Sequence, residues 1–428
     1  MKTQKYFNSE GKQIPEFLEP TSYFAYVDSI EEVKTGVDQG INLRLSCIEI
    51  RSLNLNLSQE NLIELPVLTL NLKLSRELYL NSYSMNYLPF LDGRWLKLTT
   101  KFSREDQLSA NYYGVPLINS GISYDSITPI RRLSRAERAL YRELMKTLNI
   151  ENLGREATEE DFQQLSESLK SFSHISVYDV GQGNLNGLCQ EDNMPIAYFD
   201  MGGGSIQNAF TYPNALNICT KSTYVILSHW DLDHIQTALM TNQSHSFTWF
   251  VPQQNLGLNH FILAYYISQN GKLLKVKKSL KSQTFSILKC TGTTKNDAGL
   301  ALLINLPQYL ALLPGDASFS KIPNIRGIRF DALIATHHGS DHGLTYYRRN
   351  VIPTANSNNM LAFSYGTGNT FGHDPNIVIN KYIQKGWAVN GNVFRETPND
   401  KIKMKYSPVN HNVPCNNQRC DLNTVQCY

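Results

Sequence analysis

Apolar and polar residues change their period twice along this chain. Over residues 41–50 and 68–74 they alternate one by one, the spacing of strands with one buried and one wet face. Residues 95–100 repeat the pattern. A β-rich region, a sandwich or small barrel, is expected over residues 1–133. Then Ser134-Arg-Ala-Glu137 and Thr158-Glu-Glu-Asp161 read as helix starts, the first a capping box. Ala139, Leu140 and Leu144 follow the first, and Phe162, Leu165 and Leu169 the second, at helical spacing. Residues 134–171 are therefore expected to be a helical linker with a solvated charged face. From residue 172 short apolar runs take over, at 175–180, 196–200, 224–227, 249–251, 302–306, 309–313, 332–335 and 361–364. They predict short strands. A helix over 376–384 should stop before Gly386.

A chain of 428 residues is long for one domain, so two are expected. The net charge of +3 neither demands nor excludes a nucleic-acid partner. No apolar stretch approaches the 18 residues of a membrane span, and the first residues lack the apolar core of a secretory signal. A cytoplasmic protein without membrane contact is the expectation. Of seven cysteines, Cys47, Cys189, Cys219 and Cys290 read as small buried hydrophobes. Cys415, Cys420 and Cys427 cluster in a tail, 406–428, near His411. Their spacing lacks the close pair of a zinc clip, so a reduced tail is the simpler reading.

The chemistry concentrates in Ser228-His229-Trp-Asp231-Leu-Asp233-His234. Four potential metal ligands stand within six residues, directly after the apolar run 224–227. They lie where a buried strand gives way to a loop or helix, a common place for a site on an α/β scaffold. Imidazole and carboxylate together suit Zn²⁺ or Mn²⁺. Asp316, His337 and His338 also follow predicted strands and complete a candidate ligand set. Gly181-Gln-Gly183 and Gly202-Gly-Gly204 do not fit a dinucleotide-binding fingerprint and read as tight turns at the site rim. No G-x-S-x-G nucleophile elbow is present.

The motif SHWDLDH resembles the HxDxDH form of the metallo-β-lactamase-fold hydrolases, in the ComEC-type branch linked to DNA uptake. Five further segments resemble that branch in the same order: Asp179-Val-Gly-Gln-Gly183, Asp200-Met-Gly202, Leu312-Leu-Pro-Gly-Asp316, His337-His-Gly-Ser340, and Ser364 through Asn369 to His373. The resemblance spans about residues 172 to 405 and does not reach the N-terminal region. It implies an α+β chain: a metallo-β-lactamase αββα sandwich over 172–405, preceded by the β-rich domain and a short helical linker.

It also implies roles. His229 and Asp231 would serve a first divalent ion, Asp233 and His234 a second, with Asp316 bridging both. One imidazole of His337 and His338 would complete the set, with His337 favoured. Asp231 stands where commoner members carry histidine, which makes the first position harder and opens it to Mn²⁺. The separate histidine that commoner members place before the bridging aspartate has no clear counterpart; His245 and His260 lie in that interval without a matching motif. Asp233 would steer the attacking hydroxide, and His373 would contact the scissile phosphate or protonate the leaving oxygen. Ser340, Asn369 and Asn184 are candidate hydrogen-bond donors to substrate.

The implied activity is a two-metal phosphodiesterase or nuclease acting on DNA. The competing readings are a small-molecule phosphodiesterase, of phosphocholine or cyclic-nucleotide type, and a non-catalytic metal-binding module. The N-terminal region holds no histidine before His174. It is expected to recruit or regulate, through a protein partner or through Tyr23, Tyr26, Tyr79, Tyr83, Tyr87, Tyr112, Tyr113, Arg131, Arg132 and Arg135 on nucleic acid.

Overall fold

The computed structural model describes residues 21–35, 38–75, 93–102, 122–129, 132–204, 206–213, 218–219, 221–307, 309–340, 351–369, 375–387, 395–396 and 402–404. Two compact units emerge: Met1–Asn152 with Asn255–Ile262, and Leu153–Gln254 with Leu263–Tyr428.

The first unit is built on one antiparallel sheet. Its strands are β1 (Thr21–Thr35), β2 (Asp38–Glu49), β3 (Leu68–Ser75), β4 (Trp95–Phe102) and β5 (Ile122–Pro129), in the order β3-β2-β1-β4-β5. The alternating runs are strands here, as their period requires. Helix α1 (Gln59–Ile63) is capped by Ser58, and α2 (Arg135–Thr147) carries the Ser134–Glu137 capping box. Phe24, Leu45, Ile48, Leu98 and Leu144 are buried, and the Phe24 and Tyr141 rings meet edge to face. Tyr23 and Tyr26 are buried too. That removes them from the proposed nucleic-acid face, because a ring sunk in a core cannot stack on a base. Arg132 and Arg135 are exposed. Tyr79, Tyr83, Tyr87, Tyr112, Tyr113 and Arg131 lie outside the described residues.

The expected linker 134–171 is divided between the units. Helix α2 belongs to the first; β6 (Arg155–Glu156) and α3 (Glu159–Ser168) belong to the second. Ala157, Phe162, Leu165 and Leu169 join the large core of that unit. Their apolar stripe outweighs the charges opposite, so the helix is buried on one side rather than left as a solvated connection. Thr158 and Asp161 cap α3 reciprocally, and Arg155 grips Asp161 with two hydrogen bonds.

Fourteen strands of the second unit follow in chain order. They are β7 (His174–Val177), β8 (Asn186–Cys189), β9 (Pro195–Phe199), β10 (Tyr224–Ile226), β11 (Thr248–Pro252), β12 (Lys272–Val276) and β13 (Leu280–Lys281), then β14 (Phe285–Lys289), β15 (Leu300–Leu306), β16 (Tyr309–Leu313), β17 (Arg329–Ile334), β18 (Thr354–Phe363), β19 (Arg395–Glu396) and β20 (Ile402–Met404). Helices α4 (Leu232–Met240), α5 (Leu258–Asn270) and α6 (Pro375–Ile383) interrupt them. Two mixed sheets result, β20-β7-β8-β9-β10-β11-β12-β6 and β13-β14-β15-β16-β17-β18-β19.

The sheets face each other across one core. Phe199, Ile226, Phe250 and Leu274 from the first pack with Leu302, Ile304, Leu313 and Ile334 from the second. Neighbours in the sequence turn the other way: Leu312, Leu333, Leu361 and Phe363 pack with Val378 and Tyr382 of α6. Both faces of the second sheet are therefore buried, which explains near-continuous apolar runs where an exposed face would alternate. Strands β9 to β12 pair in parallel, as do β16 to β19. Parallel strands put their carboxyl ends at one edge, where an α/β scaffold places its ligands.

Candidate metal centre

The candidate residues gather at those carboxyl ends. Asp200 follows β9, His229 follows β10, Asp316 follows β16, His337 and His338 follow β17, and Ser364 follows β18. Asp231 is the N-cap of α4; Asp233 and His234 stand in its first turn. The start of α4 is pinned from behind. The carbonyl of Asp233 accepts from the backbone N–H groups of Asn184 and Gly203, and that of His234 from Met201. A Cβ on Gly202 would stand 1.7 Å from the Asp233 carbonyl oxygen. The glycine turns thus let two loops close on the backbone that carries Asp233 and His234.

Two sets of three side chains converge closely enough to hold an ion, His229–His234–Asp316 and Asp233–His234–His338. His234 Nε2 lies 3.1 Å from Asp316 Oδ1, and His338 Nε2 lies 3.3 Å from Asp233 Oδ2 and 3.8 Å from Asp316 Oδ1. The outer nitrogen of each ring is already engaged. His234 Nδ1 donates to Asp200 Oδ2 at 2.8 Å, and His338 Nδ1 donates to the Ser364 carbonyl at 2.9 Å. In the neutral ring this leaves a lone pair on each Nε2 aimed at carboxylate oxygens. Acceptors facing acceptors in a buried pocket call for a cation between them. This donor set of imidazole and carboxylate fits a divalent ion such as Zn²⁺ or Mn²⁺.

Without an ion, protons must serve instead. Burial alone would lower the pKa of His234, but Asp316 and Asp200 outweigh it and raise it well above the ordinary histidine value. His338 is raised in the same way, burial opposing and Asp316 and Asp233 prevailing. Burial raises the Asp233 carboxyl, yet its hydrogen bond with His338 and the charge of His234 bring it down to about 2. Asp316 is held well below the carboxylate range by His234, His337 and His338 against the same burial.

His337 has a different place from its neighbour. Its side chain is 25% exposed, its Nδ1 lies 3.4 Å from Asp316 Oδ2, and the Asn296 amide is 3.2 Å from that same nitrogen. His338, rather than the favoured His337, joins the convergent sets. Both residues have left-handed backbone angles, φ of 50° and 55°, a conformation costly for a side-chain-bearing residue and found where geometry matters.

Asp231 stands apart. It belongs to neither convergent set. One of its carboxylate oxygens pairs with the Lys295 ammonium, and the other lies 3.0 Å from His229 Nε2. Burial works against its charge, but Lys295 and His229 hold the carboxyl well below its usual range.

Asn184, expected near substrate, is buried with its side-chain amide donating to Asp200 and its oxygen accepting from Asn186. Both ends of the amide are thus engaged inside the fold, one of them on Asp200. Asn369 donates to the Gly366 carbonyl within its own turn. Ser340 is half-buried just after the histidine pair. His373 lies outside the described residues. His245 is engaged with the Ala238 carbonyl and stacked on Tyr266, and His260 belongs to the first unit against Tyr26.

Sequence reasoning missed Asp200, Ser228 and Lys295. Asp200 collects the Ser228 backbone N–H and hydroxyl, the Asn184 amide and His234. A signal existed, because Asp200 ends a predicted strand as Asp316 does. Lys295 carries none: it sits in a polar loop like any surface lysine.

No protein-family model matches the chain, and no curated protein matches it. Among solved structures, a metallo-β-lactamase fold protein, YhfI from Bacillus subtilis, is similar over 52% of this chain and 96% of its own, with 15% identity and a TM-score of 0.32. A long form RNase Z from yeast is similar over 72% of this chain and 51% of its own, with 12% identity and a TM-score of 0.30.

Proposed function

We propose that the second unit is a metal-dependent hydrolase of the metallo-β-lactamase fold, of the ComEC-type branch, acting on phosphodiesters and on DNA in particular. The convergence of Asp233, His234, Asp316 and His338 at the strand ends carries the reading. It puts hard and borderline donors in one buried pocket, with two of the rings held by outer partners as metal-ligating histidines are. The choice of a phosphodiester rests on the motif resemblance. A divalent ion held there would supply an activated water near neutral pH and neutralise charge developing on phosphoryl oxygens.

The remaining residues take supporting roles. Asp233 would orient the attacking water through the oxygen it does not give to the ion. His337, partly exposed at the rim, and Ser340 and Asn369 would meet the substrate, with His373 as the expected proton donor. Among the described residues, both convergent ligand sets lie in the second unit. The first unit is accordingly read as accessory, recruiting or regulating through a partner.

The test is metal content of the purified chain, followed by digestion of plasmid and single-stranded DNA beside bis-p-nitrophenyl phosphate, with Mn²⁺, Mg²⁺ and Zn²⁺. Bound metal with DNA cleavage supports the reading. Turnover of the small diester alone would make it a small-molecule phosphodiesterase, and metal without turnover a binding module. No metal uptake would overturn the reading altogether.

A further inference from the structure

The two convergent sets share His234. An imidazole nitrogen has one lone pair and serves one ion. If His234 Nε2 serves the ion held by Asp233, His338 and Asp316, the neighbouring position keeps, among the described buried side chains, His229 and the second oxygen of Asp316, 3.9 Å apart. The partly exposed His337 Nδ1 lies 3.4 Å from that oxygen but already faces the Asn296 amide. Asp231 would have to complete the position. Both of its oxygens already have partners, His229 on one side and Lys295 on the other.

The lysine is held there by construction. Its side chain is only 3% exposed. Its backbone carbonyl accepts from the Gln254 amide at 2.6 Å, and the oxygen of that amide accepts from the backbone N–H of Trp230, next to Asp231, at 3.2 Å. Gln254 thus ties the lysine loop to the motif that carries Asp231. An ammonium facing a buried carboxylate is a fixed positive charge. A divalent ion brought to Asp231 would meet that charge at close range.

We propose that the Lys295 ammonium takes the place of a first metal ion, so that each chain holds one divalent ion, in the pocket of Asp233, His234, His338 and Asp316. The inference rests on the metal-centre reading above and narrows it from two ions to one. Lys295 then carries the positive charge that the neighbouring ion would have supplied, on an organic group that cannot be chelated away.

Metal stoichiometry of the intact chain tests this, with Mn²⁺ and Zn²⁺ salts as probes, by elemental analysis after equilibrium dialysis. The wild type should bind one ion per chain, and its Mn²⁺ spectrum should be that of an isolated ion. Lys295→Met frees Asp231 and should bind two, with the spin coupling of a close pair. Lys295→Gln, which keeps a polar end in the buried position, should behave likewise and answers if the methionine variant does not fold. Two tightly bound ions in the wild type would overturn the proposal, as would a folded Lys295 variant that stays at one. A wild type that binds none would overturn the metal centre itself, a different failure from either.

Discussion

His234 Nδ1 donates to Asp200 Oδ2 across 2.8 Å, both side chains fully buried. The bond fixes the ring so that Nε2 faces Asp316, and it makes that nitrogen a better donor to a cation. Asp200→Asn keeps the size of the side chain but offers an amide or a neutral oxygen to the ring. Metal affinity should fall about 10–100-fold, the usual cost of losing such an outer partner, with far-ultraviolet circular dichroism unchanged. An affinity equal to wild type by metal titration would mean that Asp200 does not position the ring.

His337 and His338 are adjacent but should not be equivalent. His338→Ala removes a member of a convergent set and should empty the centre or weaken it at least tenfold, like Asp233→Ala and His234→Ala. His337→Ala should leave metal content intact and act on turnover instead. Elemental analysis beside kcat separates the two. Metal loss in the His337 variant with retention in the His338 variant would reverse the assignment.

Gly202 offers a steric test of how the loops hold the ligands. Its φ lies outside the left-handed region, so the obstacle to alanine is steric: the new Cβ would stand 1.7 Å from the Asp233 carbonyl oxygen and 2.7 Å from that of Asn184. Backbone must move, and overpacking of this kind costs about 1–3 kcal/mol or more. Gly202→Ala should lower both the melting temperature and the metal affinity. A variant that melts as wild type and binds metal as well would show that the loop has room to spare.

Some of this is legible in the sequence. The alternation at 41–50 and 68–74 became strands β2 and β3, and the S-x-x-E pattern became the cap of α2. These are local consequences of backbone sterics and capping. The ligand positions were legible because each group of them follows closely on an apolar run. Strands β8 and β12 were not: Asn186-Gly-Leu-Cys189 is too short to show a period, and Lys272–Val276 is masked by flanking lysines. Which of two adjacent histidines turns inwards depends on backbone angles of +50° and +55°, which no side-chain pattern records. The Lys295–Asp231 pair joins residues 64 positions apart (295 − 231), and nothing in either local sequence announces it.

Metal affinity should depend on pH with a definite sign. In the metal-free centre His234 and His338 have raised pKa values, so their protons must leave before an ion can enter. Affinity should climb with pH, up to tenfold per unit for each proton displaced, and level off above the raised values. The metal-free fold should show the opposite trend. Groups whose folded pKa is raised contribute stability below their unfolded pKa, near 6.5 for histidine, and lose it as pH rises through the folded value. Isothermal titration at several pH values and thermal melts with chelator check both arms. Affinity that falls as pH rises from 6 to 8 would contradict the protonation pattern.

The first unit takes in a short segment from much later in the chain, Asn255–Ile262. Tyr26 holds it: the hydroxyl donates to the Asn255 carbonyl at 2.9 Å, and the ring lies edge to face against His260, 5.6 Å between centroids. A Cβ on Gly257 would stand 2.5 Å from the Tyr26 ring. Tyr26→Phe gives up only the hydrogen bond and should cost about 0.5–1.5 kcal/mol. Tyr26→Ala also leaves a cavity beneath the segment and should cost about 3–5 kcal/mol. For the same reason a chain begun at residue 153 would strand Gly257 and His260 without the strand they pack on. It should be less stable than the intact protein and prone to aggregate, even though every metal ligand is retained. Chemical denaturation of the two point variants and size-exclusion chromatography of the truncation measure this. A truncated chain that stays monomeric and melts with the full-length protein would show that the segment does not need Tyr26.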